Sequence, residues 1–269
     1  MTKNIAVGVI TYKPGKNLVA RLAAASGAGY QLYLFDNSPE EDAVRKFAAA
    51  NPAGVKYFTC GKNAGLGYAL AAVCAGAYYD GRRALLFFDQ DTVFTPETLE
   101  FVGAFHAAHP GLEKEYSAVV FNAKGTPMAE KNGLALNDVP LAVNSGSLYF
   151  LENLKRLNWH NTSYFVDCVD YEFCLNTYNH GLKVGEYTRT PGFDHNAEQD
   201  DAIYNFFGTK RPMRAYSMRR VWDSVSATLR LLAASLLSGN LRFFWIVGVA
   251  EVKYLVFQFY VRAAGFTRE

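Results

Sequence analysis

Asp89-Gln90-Asp91 sets two carboxylates one residue apart, directly after the apolar run 84–88 (ALLFF). Hard oxygen ligands so arranged suit Mg2+ or Mn2+ held together with a diphosphate. The cation would neutralise phosphate charge and stabilise a departing nucleoside diphosphate. A solvated turn in which Asp91 caps the next segment is the competing reading. Asp167-Cys168-Val169-Asp170-Tyr171-Glu172 gathers three carboxylates in six residues. A helix opening near Asp170 would hold that carboxylate at the helix N-terminus, facing a cleft. A general base must stay ionised there and reach a hydroxyl; simple N-capping by Asp167 or Asp170 competes. His195, after Pro191-Gly192-Phe193-Asp194, is a candidate for a metal or diphosphate contact, against a structural role.

Asp36-Asn37-Ser38 closes a second apolar run and can accept a hydrogen bond from a ribose or a base N–H, or form an ordinary turn. A dinucleotide-binding Rossmann domain would also carry an acid there, but it needs G-x-G-x-x-G after its first strand. Thr11-Tyr12-Lys13-Pro14-Gly15 stands in that place, and the chain has no P-loop. Lys62-Asn63-Ala64-Gly65-Leu66-Gly67 opens a helix. Its glycines would allow close backbone approach, and its N-terminus would favour phosphate.

These residues need elements to position them. Strand-like segments at 4–11, 30–35, 55–59 and 84–88 alternate with helix-like segments at 16–26, 40–50, 65–79 and 96–109. Short apolar strands alternating with helices predict a mostly parallel sheet with helices on both faces. In such sheets ligands bind beyond the carboxyl ends of the strands. Thr11, Tyr12, Asp36, Asn63, Asp89 and Asp91 all fall there. Further on, 117–121 and 183–187 read as strands, 123–139 as loops, and 141–150 as a strand broken at Asn144-Ser145-Gly146-Ser147. Residues 171–180 read as a helix with Gly181 just past its end.

The 269 residues are 50% hydrophobic and 15% aromatic, which excludes general disorder. Residues 1–202 carry 17 Lys+Arg against 22 Asp+Glu, and residues 203–269 carry 10 against 3. An acidic body with a basic, apolar tail suits an anionic membrane surface and disfavours nucleic acid. The tail reads as a helix over 214–237 and a strongly apolar one over 243–261. Glu251 and Lys253 would be costly in hydrocarbon, so a membrane-surface helix is expected, with a dimer or core helix as the alternative. The expected organisation is a body over 1–205 and a helical extension over 206–269. Cys60, Cys74, Cys168 and Cys174 form no C-x-x-C pair and read as reduced thiols of a cytoplasmic protein.

Taken in order, the motifs resemble those of the family-two, GT-A-fold glycosyltransferases, in particular the bacterial rhamnosyltransferase-like subgroup. VGVITYKP is similar to the opening strand, FDNS to the second-strand acid, and KNAGLGYA to the N-x-G segment. FFDQDT resembles the subgroup's form of the D-x-D motif, and NSGSLYF the acceptor-side loop. YFVDCVDYEFCL is similar to the segment holding the base, GFDHN to the late His segment, and RPMRAYSMRR to a late Arg/Tyr element. Asn176, Ser217 and Arg220 depart from the pattern. The resemblance implies a metal-dependent, inverting transfer with Asp170 as base. It implies donor contacts from Thr11, Tyr12, Asp36, Asn63, Asp89, Gln90, Arg211, Arg214 and Arg219. Asp91, Asp89 and His195 would hold Mg2+ or Mn2+, and Ser145, Gly146, Asp167 and Glu172 would face the acceptor. The implied donor is dTDP-rhamnose first, or a UDP-sugar (galactofuranose, hexose or N-acetylhexosamine). The acceptor would be a lipid-linked glycan at the inner leaflet. A homodimer through the C-terminal helices, and a non-catalytic sugar-nucleotide or glycan binder, are the other expectations.

Overall fold

The structure, a computed structural model, describes residues 5–38, 40, 42–121, 136–188, 193, 202–206 and 209–266. The chain divides into two compact units. One is Met1–Phe165 with Val169–Glu198, and the other is Val166–Cys168 with Gln199–Glu269.

The first unit is built on an eight-stranded sheet in the order β3-β2-β1-β4-β7-β5-β8-β6. β1 (Ile5–Thr11), β2 (Leu32–Asp36), β3 (Val55–Phe58) and β4 (Ala84–Asp89) are parallel, as the alternation predicts. Every residue of β1 and β2 is buried, as expected of parallel strands covered on both faces. Beyond β4 the direction changes. β7 (Ser147–Phe150) runs antiparallel to β4 and to β5 (Tyr116–Phe121), and β5 is parallel to β8 (Lys183–Tyr187). β6 (Leu136–Asp138) pairs antiparallel with β8, so the end of the stretch read as loops is a strand.

Side chains alternate across each strand, which splits the packing into two layers. Val7, Val9, Leu32, Leu34, Leu86 and Phe88 share one core with α1 (Leu18–Gly27), α2 (Asp42–Ala50) and α4 (Pro96–Ala108). Phe35 points the other way and meets Tyr68 of α3 (Leu66–Tyr79) at 5.8 Å. α4 starts sharply because Thr95 and Thr98 form a capping box and Pro96 occupies the first turn. α5 (Leu151–Arg156) follows β7 directly, where the sequence showed no separate helix, and α6 (Val169–Asn179) leads into β8.

The second unit holds a hairpin, β9 (Ala202–Phe206) with β10 (Thr209–Met213), and two helices, α7 (Met218–Leu237) and α8 (Leu241–Phe266). Ala227 and Leu231 of α7 and Phe243, Val247 and Val261 of α8 are buried. Glu251 faces α7, where it accepts hydrogen bonds from Ser224 (3.1 Å) and Thr228 (3.0 Å). Gln258 ties α8 to the preceding segment through Arg214 O and Tyr216 N, both at 3.0 Å.

Gly67 marks a tight crossing in the first unit: a Cβ there would lie 2.6 Å from the carbonyl oxygens of both Asn161 and Tyr164. Gly67→Ala is expected to destabilise by about 1–3 kcal/mol, because the obstacle is backbone. Gly27→Ala, with nothing within 4 Å, should instead be neutral or stabilising by about 0.5–1 kcal/mol. Urea unfolding of the two variants checks the contrast.

Candidate active site

The carboxyl edge of the parallel strands is organised around Asp36. Its side chain is 1% exposed, so burial would be costly without partners. The partners are present. Oδ1 accepts from Thr11 Oγ1 (3.0 Å), Ser38 N (2.9 Å) and Ser38 Oγ (3.3 Å), and Oδ2 accepts from Tyr57 OH (2.9 Å). Thr59 Oγ1 donates to the Asp36 carbonyl at 3.0 Å. The ends of β1, β2 and β3 are therefore fastened to one carboxylate. Thr11, fully buried, spends its hydroxyl on this network. Burial raises the Tyr57 hydroxyl to about 12, with the Asp36 hydrogen bond adding to the shift.

Gln90 closes the same edge at β4. It exchanges a reciprocal pair of hydrogen bonds with the Tyr12 backbone: Tyr12 N donates to Oε1 (2.7 Å) and Nε2 donates to Tyr12 O (2.8 Å). Arg21 of α1 donates to the Gln90 carbonyl at 2.6 Å. The Tyr12 ring stays half exposed at the rim.

The Asp-x-Asp turn is fixed from the side of β7. Asp89 N donates to Ser145 Oγ (3.0 Å), and Ser145 Oγ lies 2.6 Å from Thr92 Oγ1. Gly146, in the left-handed region at φ 80°, donates to the Phe87 carbonyl at 2.8 Å. The structure thus brings Ser145 and Gly146 to the Asp-x-Asp turn. Among the described residues no group of three or more His, Cys, Asp or Glu forms a metal cluster. Asp89 and Asp91 would offer two hard oxygen donors, a set of the chemistry that Mg2+ or Mn2+ takes and would complete with oxygens of a diphosphate. His195 lies outside the described residues, as does the side chain of Arg211.

Asn63 and the residues after it make several bonds within the chain. Asn63 Oδ1 accepts from Gly65 N (2.9 Å), and Asn37 Oδ1 accepts from Ala64 N (2.9 Å). Leu66 N, the first amide of α3, donates to Phe165 O at 2.5 Å. A Cβ on Gly65 would lie 2.6 Å from that same oxygen. The expectation that these glycines open a phosphate cradle is corrected: the close backbone approach is made by the segment 161–165.

Asp170 occupies the first turn of α6, where its Oδ1 accepts from Tyr171 N at 2.9 Å. Glu172 accepts from Asn161 Nδ2 (3.3 Å), and burial holds its carboxyl above the usual range. Asp167 sits differently, with residues of the helical unit. Its N–H donates to Asp223 (3.4 Å), and its carboxylate lies 3.9 Å from Arg220 Nε. Burial pushes it up to about 6; Arg220 opposes the shift, and Asp223 and Glu251 reinforce it. Arg214 and Arg219 also belong to the helical unit. The Arg214 guanidinium lies 5.7 Å from the Tyr216 ring, and Arg219 is exposed in the first turn of α7. Tyr57 and Arg21 were not singled out in the sequence, and Ser38 and Thr92 entered only as members of the FDNS and FFDQDT motifs, since no motif marks a residue whose role is to bond another. All four cysteines are free, with Cys60 exposed and the others buried.

A half-parallel sheet with helices on both faces, a polar carboxyl edge and an Asp-x-Asp turn at β4 define the GT-A class of α/β domain. Residues 7–110 match the family described as Glycosyl transferase family 2. Over 198 residues the chain is 24% identical to dTDP-rhamnosyl transferase RfbF of Shigella flexneri, a match covering 68% of this chain and 66% of that protein. The fold is similar to that of S. aureus TarS, with a TM-score of 0.51 and 17% identity over 70% of this chain and 36% of that one. It is also similar to GalNAc-T7, solved with UDP, GalNAc and Mn2+, with a TM-score of 0.55 and 12% identity over 83% of this chain and 47% of that one. The match spans just under two thirds of the rhamnosyl transferase and less than half of either solved structure.

The raised Asp167 value has a thermodynamic consequence. A carboxyl that holds its proton more tightly folded than unfolded stabilises the fold fully below its unfolded pKa, and that contribution is lost as pH rises through the folded value. Stability should therefore fall between about pH 4 and pH 6.5, by roughly 2–3 kcal/mol at most. In Asp167→Asn that component of the fall should be missing. Denaturant titrations from pH 4.5 to 7.5 measure it, and equal slopes in both proteins would refute the assignment.

Proposed function

We propose that the chain is an inverting glycosyltransferase that moves a sugar from a nucleoside-diphosphate donor to a glycan hydroxyl. The observation that carries this reading is a family-two domain whose fastened strand edge ends in Asp89 and Asp91 beside Ser145. The Tyr12 ring, Asn63 and the Asp36–Tyr57 network would shape the base and ribose pocket, with Asp36 acting through the groups it holds. Asp91 and Asp89, with His195, would hold Mg2+ or Mn2+. When bound, that cation would neutralise the diphosphate. Arg211, Arg214 and Arg219 are candidates for balancing the charge that develops as the leaving group departs. Asp170 would take the acceptor hydroxyl's proton while that oxygen bonds to the anomeric carbon. The carbon–oxygen bond to the diphosphate breaks, and its electron pair leaves with the nucleotide. Ser145, Gly146 and Glu172 would line the acceptor side, and Asp167 would support the segment that leads to Asp170. L-rhamnose from dTDP-rhamnose is the first-choice donor, supported by the likeness to a dTDP-rhamnosyl transferase.

We also place the α7–α8 unit, the C-terminal extension expected over 206–269, on an anionic cytoplasmic leaflet, where a lipid-linked glycan would be presented. Leu241–Ala263 is long and apolar enough to cross a membrane, yet only 17% of its apolar window is buried. Leu241, Trp245, Val249, Val252, Val256 and Phe259 are exposed at intervals of three and four residues, one continuous stripe along α8. Glu251 is turned away from that stripe toward α7. Arg219, Arg230, Arg242 and Lys253 are exposed on the same two helices. A stripe of this kind suits insertion in the plane of the interface; a second copy packing on it is the competing reading.

Asp170→Asn should lower turnover by about 100-fold or more while nucleotide affinity stays within twofold. Asp91→Ala should remove the cation-dependent part of dTDP binding measured by calorimetry. A near-wild-type rate in the first variant would displace Asp170 as base, and unchanged cation dependence in the second would remove Asp91. Preference for UDP over dTDP would move the donor to a UDP-sugar, and no binding of either would sink the transferase reading. For the helices, Trp245→Glu with Phe259→Glu should abolish flotation with anionic vesicles and leave the oligomeric state unchanged. Loss of a dimer with unchanged flotation would reverse that conclusion.

A further inference from the structure

The first unit holds a cavity of about 1040 Å³ at the end of the sheet opposite the Asp36–Asp91 edge. It opens beside Ile5, at the amino end of β1, and beside the turn that feeds β4. Thr11 lies at the other end of β1 from Ile5, about 20 Å away. It therefore lies apart from the residues assigned above. Its volume reaches the upper end of the range of about 300–1,000 Å³ usual for small-molecule sites.

Three features of its walls constrain what it can hold. The first is an aromatic ledge. Tyr78 and Tyr79 end α3, Trp159 packs at 5.7 Å and 6.5 Å from their rings, and Tyr79 is left 75% exposed. Large aromatic faces of this kind are costly to leave in water and are ready to cover an apolar surface. The second is the floor. Gly103 lies in the interior of α4, where glycine costs about 1 kcal/mol relative to alanine. Packing does not require it, because a Cβ there would meet nothing nearer than the Tyr30 hydroxyl at 3.8 Å. Glycine at this position leaves the cavity wall without a side chain that a bulky residue would project into it. The third is charge. Glu100, Glu113 and Glu152 outnumber Arg82 and Arg83 by one, and burial lowers the pKa of His106 against the opposing pull of Glu113. The lining carries no excess of positive charge to select an anion.

Aromatic faces combined with mixed donors and acceptors and little net charge match one ligand chemistry, that of neutral sugar rings. Their C–H faces lie flat on aromatic rings, and their hydroxyls pair with guanidinium and carboxylate groups. We propose that this cavity is a second carbohydrate-binding site, which holds a short neutral stretch of glycan remote from the donor edge. On the transferase reading, the site would retain a growing chain between transfers. Binding itself needs no turnover, so the inference stands or falls separately from the transferase reading.

Rhamnotetraose, a β-linked galactotetraose and maltotetraose serve as neutral probes, and inorganic phosphate and a sialylated tetrasaccharide as anionic ones. Saturation-transfer NMR and calorimetry are run on the full chain with and without saturating dTDP or UDP. The expected result is saturable binding of at least one neutral probe, unaffected by nucleotide. Affinity should fall tenfold or more in Tyr79→Ala, whose side chain is exposed, and in Gly103→Leu, which fills the floor. Nucleotide affinity should hold within twofold in both variants. If Gly103→Leu does not fold, the Tyr79→Ala result together with chemical-shift mapping onto the α3–β4 turn decides. Absence of saturable binding of every neutral probe, displacement by nucleotide, preference for the anionic probes, or equal affinity in the variants would each overturn the proposal. Loss of nucleotide binding with glycan binding intact would count against the transferase reading alone.

Discussion

A carboxylate taken out of water must be repaid in hydrogen bonds, and the polar strand edge of this protein follows from how Asp36 meets that requirement. Its two oxygens are shared among Thr11, Ser38 and Tyr57, which come from the ends of β1, β2 and β3 or just beyond them. Three chain segments that would otherwise end freely in solvent are held in one arrangement. Gln90 extends the arrangement to β4 through the Tyr12 backbone. Breaking one bond would leave a buried acceptor or donor unsatisfied, which costs more than the bond contributes. The edge is therefore rigid before any ligand arrives, the condition under which fixed dipoles and carboxylates act on a reacting group without reorganising.

The second constraint is steric. The segment 161–165 passes so close to the start of α3 that only hydrogen fits at Gly65 and Gly67. The crossing also satisfies the first amide of α3 through Phe165. One chain segment thus caps a helix, closes the edge below Asn63 and leads toward the turn of α6 that carries Asp170. Sequence proximity to a helix start suggested an anion site, but the amide is already committed to backbone.

Burial and charge are distributed differently in the helical unit. Its polar interior, with Glu251, Ser224 and Thr228 between the helices and Gln258 against Arg214 and Tyr216, fixes the register of the pair. Ala227, Leu231, Phe243, Val247 and Val261 are buried beside these polar contacts, and a second set of apolar residues is turned outward along α8. Exposed apolar stripes of this length mark an interaction surface.

Much of this was legible in the sequence, because local patterns follow local causes. Fully apolar strands bounded by polar residues announced β1, β2 and β4, and the helix-like segment that begins at Pro96 announced α4. The alternation of strand and helix implied a parallel sheet whose carboxyl edge gathers Thr11, Asp36 and Asp89. What the sequence could not supply was pairing between distant residues. That Tyr57 and Ser38 spend their hydroxyls on Asp36, that Gln90 binds a backbone 78 residues away, and that Asp167 pairs with Arg220 are choices made by the assembled chain. The same holds for Glu251, which reads as an interruption of an apolar helix and becomes the polar contact between two helices. Periodicity records which face a residue occupies. Only tertiary structure decides which other surface that face meets, because desolvation and hydrogen-bond satisfaction are properties of the contact and not of either segment.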